Sequence, residues 1–249
     1  MDSDDPWPTR IALLTIDRLV MTDCSNASVK LVSVDQHTIL DQLKVDGKPW
    51  GACRLSESKA AVTLPDEHRI IILDCKNKLF IENTIFVQHE CRDIAYNNEQ
   101  LIVRYRDYRK IEIMRLNGEV VKQTLLGTRN ILYANSLSVI SEENATSIFV
   151  SDYSNSRIVR LDDELQEQQV YPLPGGATQS SLYAVGEGQL LLWSDNGSFW
   201  QLDSTMGLWT ALVGEGGLSG AWSMVFCHNR RVLYCTHFDD AVVKRYSFS

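Results

Sequence analysis

The sequence predicts an all-β fold, a six-bladed β-propeller of four-stranded antiparallel blades. Three observations predict it. β-rich hairpins recur along the whole chain, their spacing stays in the low forties, and further strands flank them. The 249 residues, 44% hydrophobic and 22% charged, suit one large globular domain or two small ones.

The hairpins pair residues 18–23 with 28–33, 60–64 with 69–73, and 100–105 with 110–114. The later three pair 147–152 with 157–161, 189–193 with 198–202, and 231–235 with 241–245. Each strand alternates or is continuously apolar, and polar turns such as 66–68 and 195–197 join them. The first apolar residues of the second strands are Val29, Ile70, Ile111, Ile158, Phe199 and Val242, separated by 41, 41, 47, 41 and 43 residues. A helical solenoid of similar period would place apolar residues every 3.6 positions, and no such run occurs.

Inner strands precede the hairpins at 51–55, 93–96, 136–139, 181–185 and 223–226. They are rich in small residues, as expected where six strands converge on a narrow axis. Outer strands include 38–40, 118–121 and 208–212, and the excess length of the fourth blade is assigned to a polar loop at 141–146. Only seven residues follow Val242, too few to finish a third strand and add a fourth. The sixth blade should therefore have three strands. Residues 1–9, with two prolines and three aspartates, read as a tail or a poor closing strand, and the propeller as 10–249.

Composition narrows the function classes. The net charge is −8, whereas a polyanion-binding surface relies on lysine and arginine to displace counterions. DNA is therefore not an expected partner, and RNA requires a local basic patch. No run of about 18 apolar residues is present to cross a membrane. The start is acidic, without the basic flank and apolar stretch of a signal peptide, and the expected location is cytoplasmic. Six dispersed cysteines without a close pair argue against a zinc finger or a disulfide scaffold.

Catalytic constellations are not expected. His37, His68, His89, His228 and His237 read as turn and connection residues outside the inner strands, with His68 and His237 in hairpin turns. Asp93 starts an inner strand, but one carboxylate does not make a metal site. No nucleophile elbow, phosphate loop or zinc-protease motif occurs. The expectation is no enzyme, no metal and no cofactor.

Residues 148–161 resemble an NHL repeat: apolar positions at Ile148 and Val150, then Asp152, Asn155, Arg157 and Ile158. Residues 19–26, followed by Val29 and Leu31, repeat the pattern more loosely with Asp23 and Asn26. Residues 48–53 and 60–66 resemble the second blade of C-terminal propellers in TRIM-like (tripartite-motif) proteins of invertebrates. The third, fifth and sixth repeats lack the Asp and Asn. An Asp ending a strand and an Asn in the following turn can bond local backbone N–H groups, so these motif residues are read as scaffold.

The resemblance implies a propeller that recognises protein substrates for an attached ubiquitin ligase, or one that binds RNA. The ligase part, with its cysteine–histidine array and coiled coil, does not occur in these 249 residues. Some NHL-like propellers are lyases or lactonases that hold a metal on the channel, which gives a third reading.

A ligand would meet the face carrying the hairpin turns and the starts of the inner strands. The starts supply Trp50, Arg92, Asn135 and Trp222, with Arg10 as a further candidate, and the turns supply His68, Tyr108, Arg109, Tyr153 and Phe238. Trp50 and Trp222 have an alternative reading as plugs between blades. Aromatics beside arginine are the composition of interface hot spots. The leading expectation is non-catalytic recognition of a protein or peptide. RNA comes second, with Arg109 and Lys110 as phosphate contacts, and a metal-dependent enzyme third.

Overall fold

Strand, turn, strand recurs from end to end in the computed structural model, which describes residues 5–106, 109–126, 134–142, 145–176, 179–194, 197–213, 221–237 and 240–247. Blade one comprises β1 (Pro8–Leu13), β2 (Arg18–Asp23), β3 (Ser28–Ser33) and β4 (Thr38–Lys44). Blade two comprises β5 (Ala52–Ser56), β6 (Lys59–Leu64), β7 (Arg69–Asp74) and β8 (Phe80–Phe86). Blade three comprises β9 (Cys91–Asn97), β10 (Gln100–Tyr105), β11 (Lys110–Arg115) and β12 (Val120–Leu125). Blade four comprises β13 (Ala134–Glu142), β14 (Ala145–Asp152), β15 (Arg157–Leu161) and β16 (Glu167–Pro172). Blade five comprises β17 (Gln179–Gly186), β18 (Gln189–Ser194), β19 (Phe199–Asp203) and β20 (Leu208–Val213).

Blade six comprises β21 (Ala221–Cys227), β22 (Val232–His237) and β23 (Asp240–Ser247). Every blade is an antiparallel meander. Five have four strands; among the described residues the sixth has three, the number expected for it.

The cores are sandwiched between neighbouring blades, which explains the continuous apolar runs of the middle strands. In β2, Val20 packs toward blade two, while Leu19 and Met21 pack toward blade six. Both faces of the strand lose water, so both side-chain parities must be apolar. Outermost strands cover only one neighbour, and Ile39, Phe80 and Phe86 accordingly stand exposed.

Three expectations need correction. Pro8 and Thr9 belong to β1, the innermost strand of blade one, and not to a tail or an outer strand of blade six. A proline is tolerated as the first residue of a strand, and Trp7 is tied down by bonds from its N–H to Asp23 Oδ1 (3.1 Å) and from Cys24 N–H to its carbonyl (2.9 Å). The polar stretch of blade four is largely strand: Ser141 pairs with Thr146 and Glu142 with Ala145. His237 ends β22 and is buried, so it is not a turn residue.

Candidate functional site at one end of the channel

The inner strands β1, β5, β9, β13, β17 and β21 line a channel of about 590 Å³. Near their starts, the registers place Arg10, Gly51, Asp93, Ser136, Ser181 and Ser223 at equivalent positions around it. Four of the six donate their N–H to a hydroxyl on the adjacent middle strand. Arg10 bonds Thr22 (2.9 Å), Gly51 bonds Thr63 (2.7 Å), Ser136 bonds Ser151 (2.7 Å) and Ser223 bonds Thr236 (3.2 Å). Three side chains of the ring accept an N–H from the following blade. These are Leu137 to Asp93 Oδ2 (2.8 Å), Leu182 to Ser136 Oγ (3.3 Å) and Ile11 to Ser223 Oγ (3.2 Å). The ring is thus stitched by short polar side chains.

Two of these positions are charged. The Arg10 guanidinium forms an ion pair with Asp93, reaching from blade one to blade three. Gly51, the equivalent residue of blade two between them, contributes no side chain. A Cβ there would lie 2.8 Å from the Arg92 carbonyl oxygen and 3.0 Å from Thr63 Oγ1. Asp93 is buried and also accepts the N–H groups of Ile94 (3.0 Å) and Leu137, which offset the cost of removing its charge from water.

At the strand starts, three tryptophans converge on this end of the channel. The Trp7 ring lies 5.6 Å from Trp50 and 6.3 Å from Trp222, and Trp50 lies 6.3 Å from Trp222, all edge to face. That is the favoured geometry of aromatic quadrupoles. The Arg92 guanidinium sits 3.9 Å from the Trp50 ring centre, a cation–π contact. The Trp50 carbonyl accepts from Thr9 Oγ1 and Thr22 Oγ1, each at 3.0 Å, so backbone bonds hold its position. All three indoles and Arg92 are half-buried.

The structure therefore brings together Trp50, Arg92 and Trp222, and adds Trp7. His68, Arg109 and Tyr153 lie in the turns of blades two, three and four, with Arg109 exposed and Tyr153 in a short 3-10 turn, Tyr153–Asn155. Asn135 belongs by its backbone to β13. Its side chain, and Tyr108 and Phe238 altogether, lie outside the described residues.

Lys110 departs from expectation. It is buried, ion-paired to Glu112 Oε1 (2.6 Å) and stacked over the Tyr105 ring at 5.1 Å, while Tyr105 donates to Glu112 Oε2 (2.6 Å). Its charge is answered by Glu112 within blade three. Burial, reinforced by the Glu112 bond, pushes the Tyr105 phenol well above its ordinary range.

The motif residues form buried hubs. Asp23 accepts from the Asn26 backbone N–H (3.3 Å), Asn26 Nδ2 (3.0 Å) and Lys30 Nζ (2.6 Å). Asp152 accepts from Asn155 Nδ2 (2.7 Å) and Arg157 Nε (2.8 Å). These bonds pin the hairpin turn to the end of the middle strand.

Burial disfavours the thiolate form of several cysteines. Cys53, on the channel wall, is pushed up by burial and by the Asp93 carboxylate. Burial raises Cys75, Cys91 and Cys235 to about 12. Among the described residues, no three His, Cys, Asp or Glu side chains cluster as a metal site.

No protein-family model and no curated protein sequence matches the chain. Solved structures do. Virginiamycin B lyase from Staphylococcus aureus superposes with a TM-score of 0.72 at 12% identity, covering 99% of this chain and 86% of that one. Hydrazine synthase from Kuenenia stuttgartiensis superposes with a TM-score of 0.69 at 11% identity, covering 94% and 75%. Likeness at this level of identity shows the propeller fold and nothing finer.

Proposed function

We propose that this propeller is a non-catalytic recognition module that seats a protein or peptide partner on the tryptophan-lined end of its channel. The observation that carries the reading is the cluster of Trp7, Trp50, Trp222 and Arg92. Half-buried indoles keep surface for a ligand while their geometry is already fixed, which lowers the entropy lost on binding. Tryptophan and arginine are also the residues that most often dominate an interface. The raised thiols, and the ion pair that occupies Arg10 and Asp93, fit a scaffold better than an active site. In finer detail, the NHL-like hubs at Asp23 and Asp152 support the substrate-binding propeller of a TRIM-like ubiquitin ligase. Six free cysteines fit a reducing compartment such as the cytoplasm.

Affinity capture from cells, comparing the native chain with Trp50→Ala, Trp222→Ala and Arg92→Ala, tests this. Captured partners should lose roughly 30-fold or more in affinity, about 2 kcal/mol, with modest salt dependence. If all three variants capture the same proteins as the native chain, this face is not the binding face. If capture is of RNA, falls steeply with salt and depends on Arg109, the RNA reading replaces this one.

A further inference from the structure

The channel cavity of about 590 Å³ takes in Arg10 but none of the three tryptophans, so the Arg10–Asp93 pair stands between it and their cluster. From there it runs along the inner strands to their far ends, where Ile16, Glu57, His228 and Asn229, all exposed, form its mouth. Between these ends the walls are mainly apolar, with Ala52, Ala95, Leu137, Leu182, Ala184 and Val225 among them. Part of the open edge of the inner strands is already answered there, since Ala184 N–H donates to Ser138 Oγ (2.7 Å). Arg54, on β5, also lines the cavity. It is exposed, and among the described residues it makes no hydrogen bond and no ion pair. Burial raises the Tyr183 phenol, and the Arg54 guanidinium, reaching from blade two toward blade five, works against that rise.

We propose that this cavity binds one small, uncharged and largely apolar molecule, whose carbonyl oxygen accepts a hydrogen bond from Arg54. The site is separate from the tryptophan cluster and does not rest on the recognition reading. A cavity of this volume, apolar along its walls with a few polar groups, has the make-up of a small-molecule site. Apolar walls leave water in the lumen short of partners, so a ligand that displaces it gains the burial of its own apolar surface. A guanidinium carries N–H donors and no acceptor, so Arg54 calls for an oxygen on the ligand. The mouth disfavours an anion. Glu57, Glu99 and Glu187 stand exposed on the turns that follow the inner strands of blades two, three and five, on a chain of net charge −8. A cation would meet Arg54 inside, which leaves an uncharged acceptor as the chemistry that suits both ends.

Nile red, an uncharged dye that carries a ring carbonyl and brightens in apolar surroundings, is a suitable probe. It should bind the whole chain saturably, one dye per chain, with a blue-shifted emission. Arg54→Met keeps an apolar stem and removes the donors. It should weaken binding about tenfold and leave the melting temperature unchanged, because the side chain is exposed. Ile39→Asp, on the outer strand of blade one, should leave dye binding as it is. Competition on the native chain tests the ligand class without any substitution. At neutral pH 2-nonanone should displace the dye at about tenfold lower concentration than nonanoate or nonylamine, which share its chain length and carry a charge. Absence of saturable binding, full affinity in Arg54→Met, or loss of affinity in Ile39→Asp would overturn the proposal. Displacement by nonanoate or nonylamine at the same or lower concentration than the ketone would overturn it too.

Discussion

Blades one and six meet across the closure of the ring and hold themselves together by different means. Blade one has four strands and a buried charge hub in which Asp23 gathers Asn26, Lys30 and the backbone of Trp7. Among the described residues blade six has three strands and no such hub, and its repeat lacks the Asp and Asn. Blade one also meets blade two across a large core that includes Leu14, Leu31, Leu64 and Leu73. Its contact with blade six is a smaller cluster around Ile11, Leu19, Met21, Val225 and Tyr234, with a bond from Ile11 N–H to Ser223 and an ion pair from Arg230 to Asp35. No strand crosses that seam among the described residues. Among the described residues packing and a few polar contacts close the ring, whereas a continuous backbone ladder holds each blade together.

The largest test of this contrast removes the hub. Asp23→Ala takes from Lys30, whose side chain is 3% exposed, the carboxylate that pairs with it. Unfolding in urea should show a loss of about 3–5 kcal/mol. A loss under 1 kcal/mol would mean that the hub is incidental to blade one.

Equivalent ring positions in blades two and six sharpen it at smaller scale. Gly51→Ala forces a methyl group against the Arg92 carbonyl and Thr63, a contact the rigid backbone cannot yield. It should cost about 1–3 kcal/mol by the same urea measurement. Ser223→Ala loses only the acceptor for Ile11 N–H at the closure, about 1 kcal/mol. Reversal of that order would place the tighter constraint at the seam.

The smallest effect concerns pH. The hydrogen bond from Arg230 holds the Asp35 carboxyl below its ordinary value of 3.8. Its folded value is lower than its unfolded value, so the stabilisation is complete above the unfolded pKa and disappears as pH falls through the folded one. The pair is exposed to solvent, which keeps the effect small. Asp35→Asn should flatten a shallow decline in melting temperature on acidification below about pH 4, leaving the neutral-pH value nearly unchanged. An identical acid limb in the variant would show that the ion pair does not contribute to closure.

What was legible in the sequence and what was not divides by distance along the chain. Strand positions, hairpin turns and the blade count depend on alternation and turn chemistry within a few residues, and β2–β3, β6–β7 and β10–β11 fall where the pattern puts them. The Asp23 and Asp152 hubs are equally local, since their side-chain partners Asn26, Lys30, Asn155 and Arg157 lie three to seven residues away. Trp7 was obscured by its flanking prolines, which read as a tail until the bond to Asp23 is seen. Arg10 and Asp93 stand at repeating ring positions that the sequence does display, yet their pairing depends on how wide the channel is and on the absent side chain of Gly51. Lys110 looks like a turn cation, and only the buried Glu112 two residues on shows where its charge goes.

The sequence by itself determined the number of blades, their antiparallel hairpins and the residues that pin the turns, because backbone hydrogen bonding and side-chain parity are set by near neighbours. Only the tertiary structure decided which residues share the channel end and which cations are already paired. Those outcomes follow from closing six blades into a ring. Closure brings together Trp7, Trp50 and Trp222 from strands far apart in sequence.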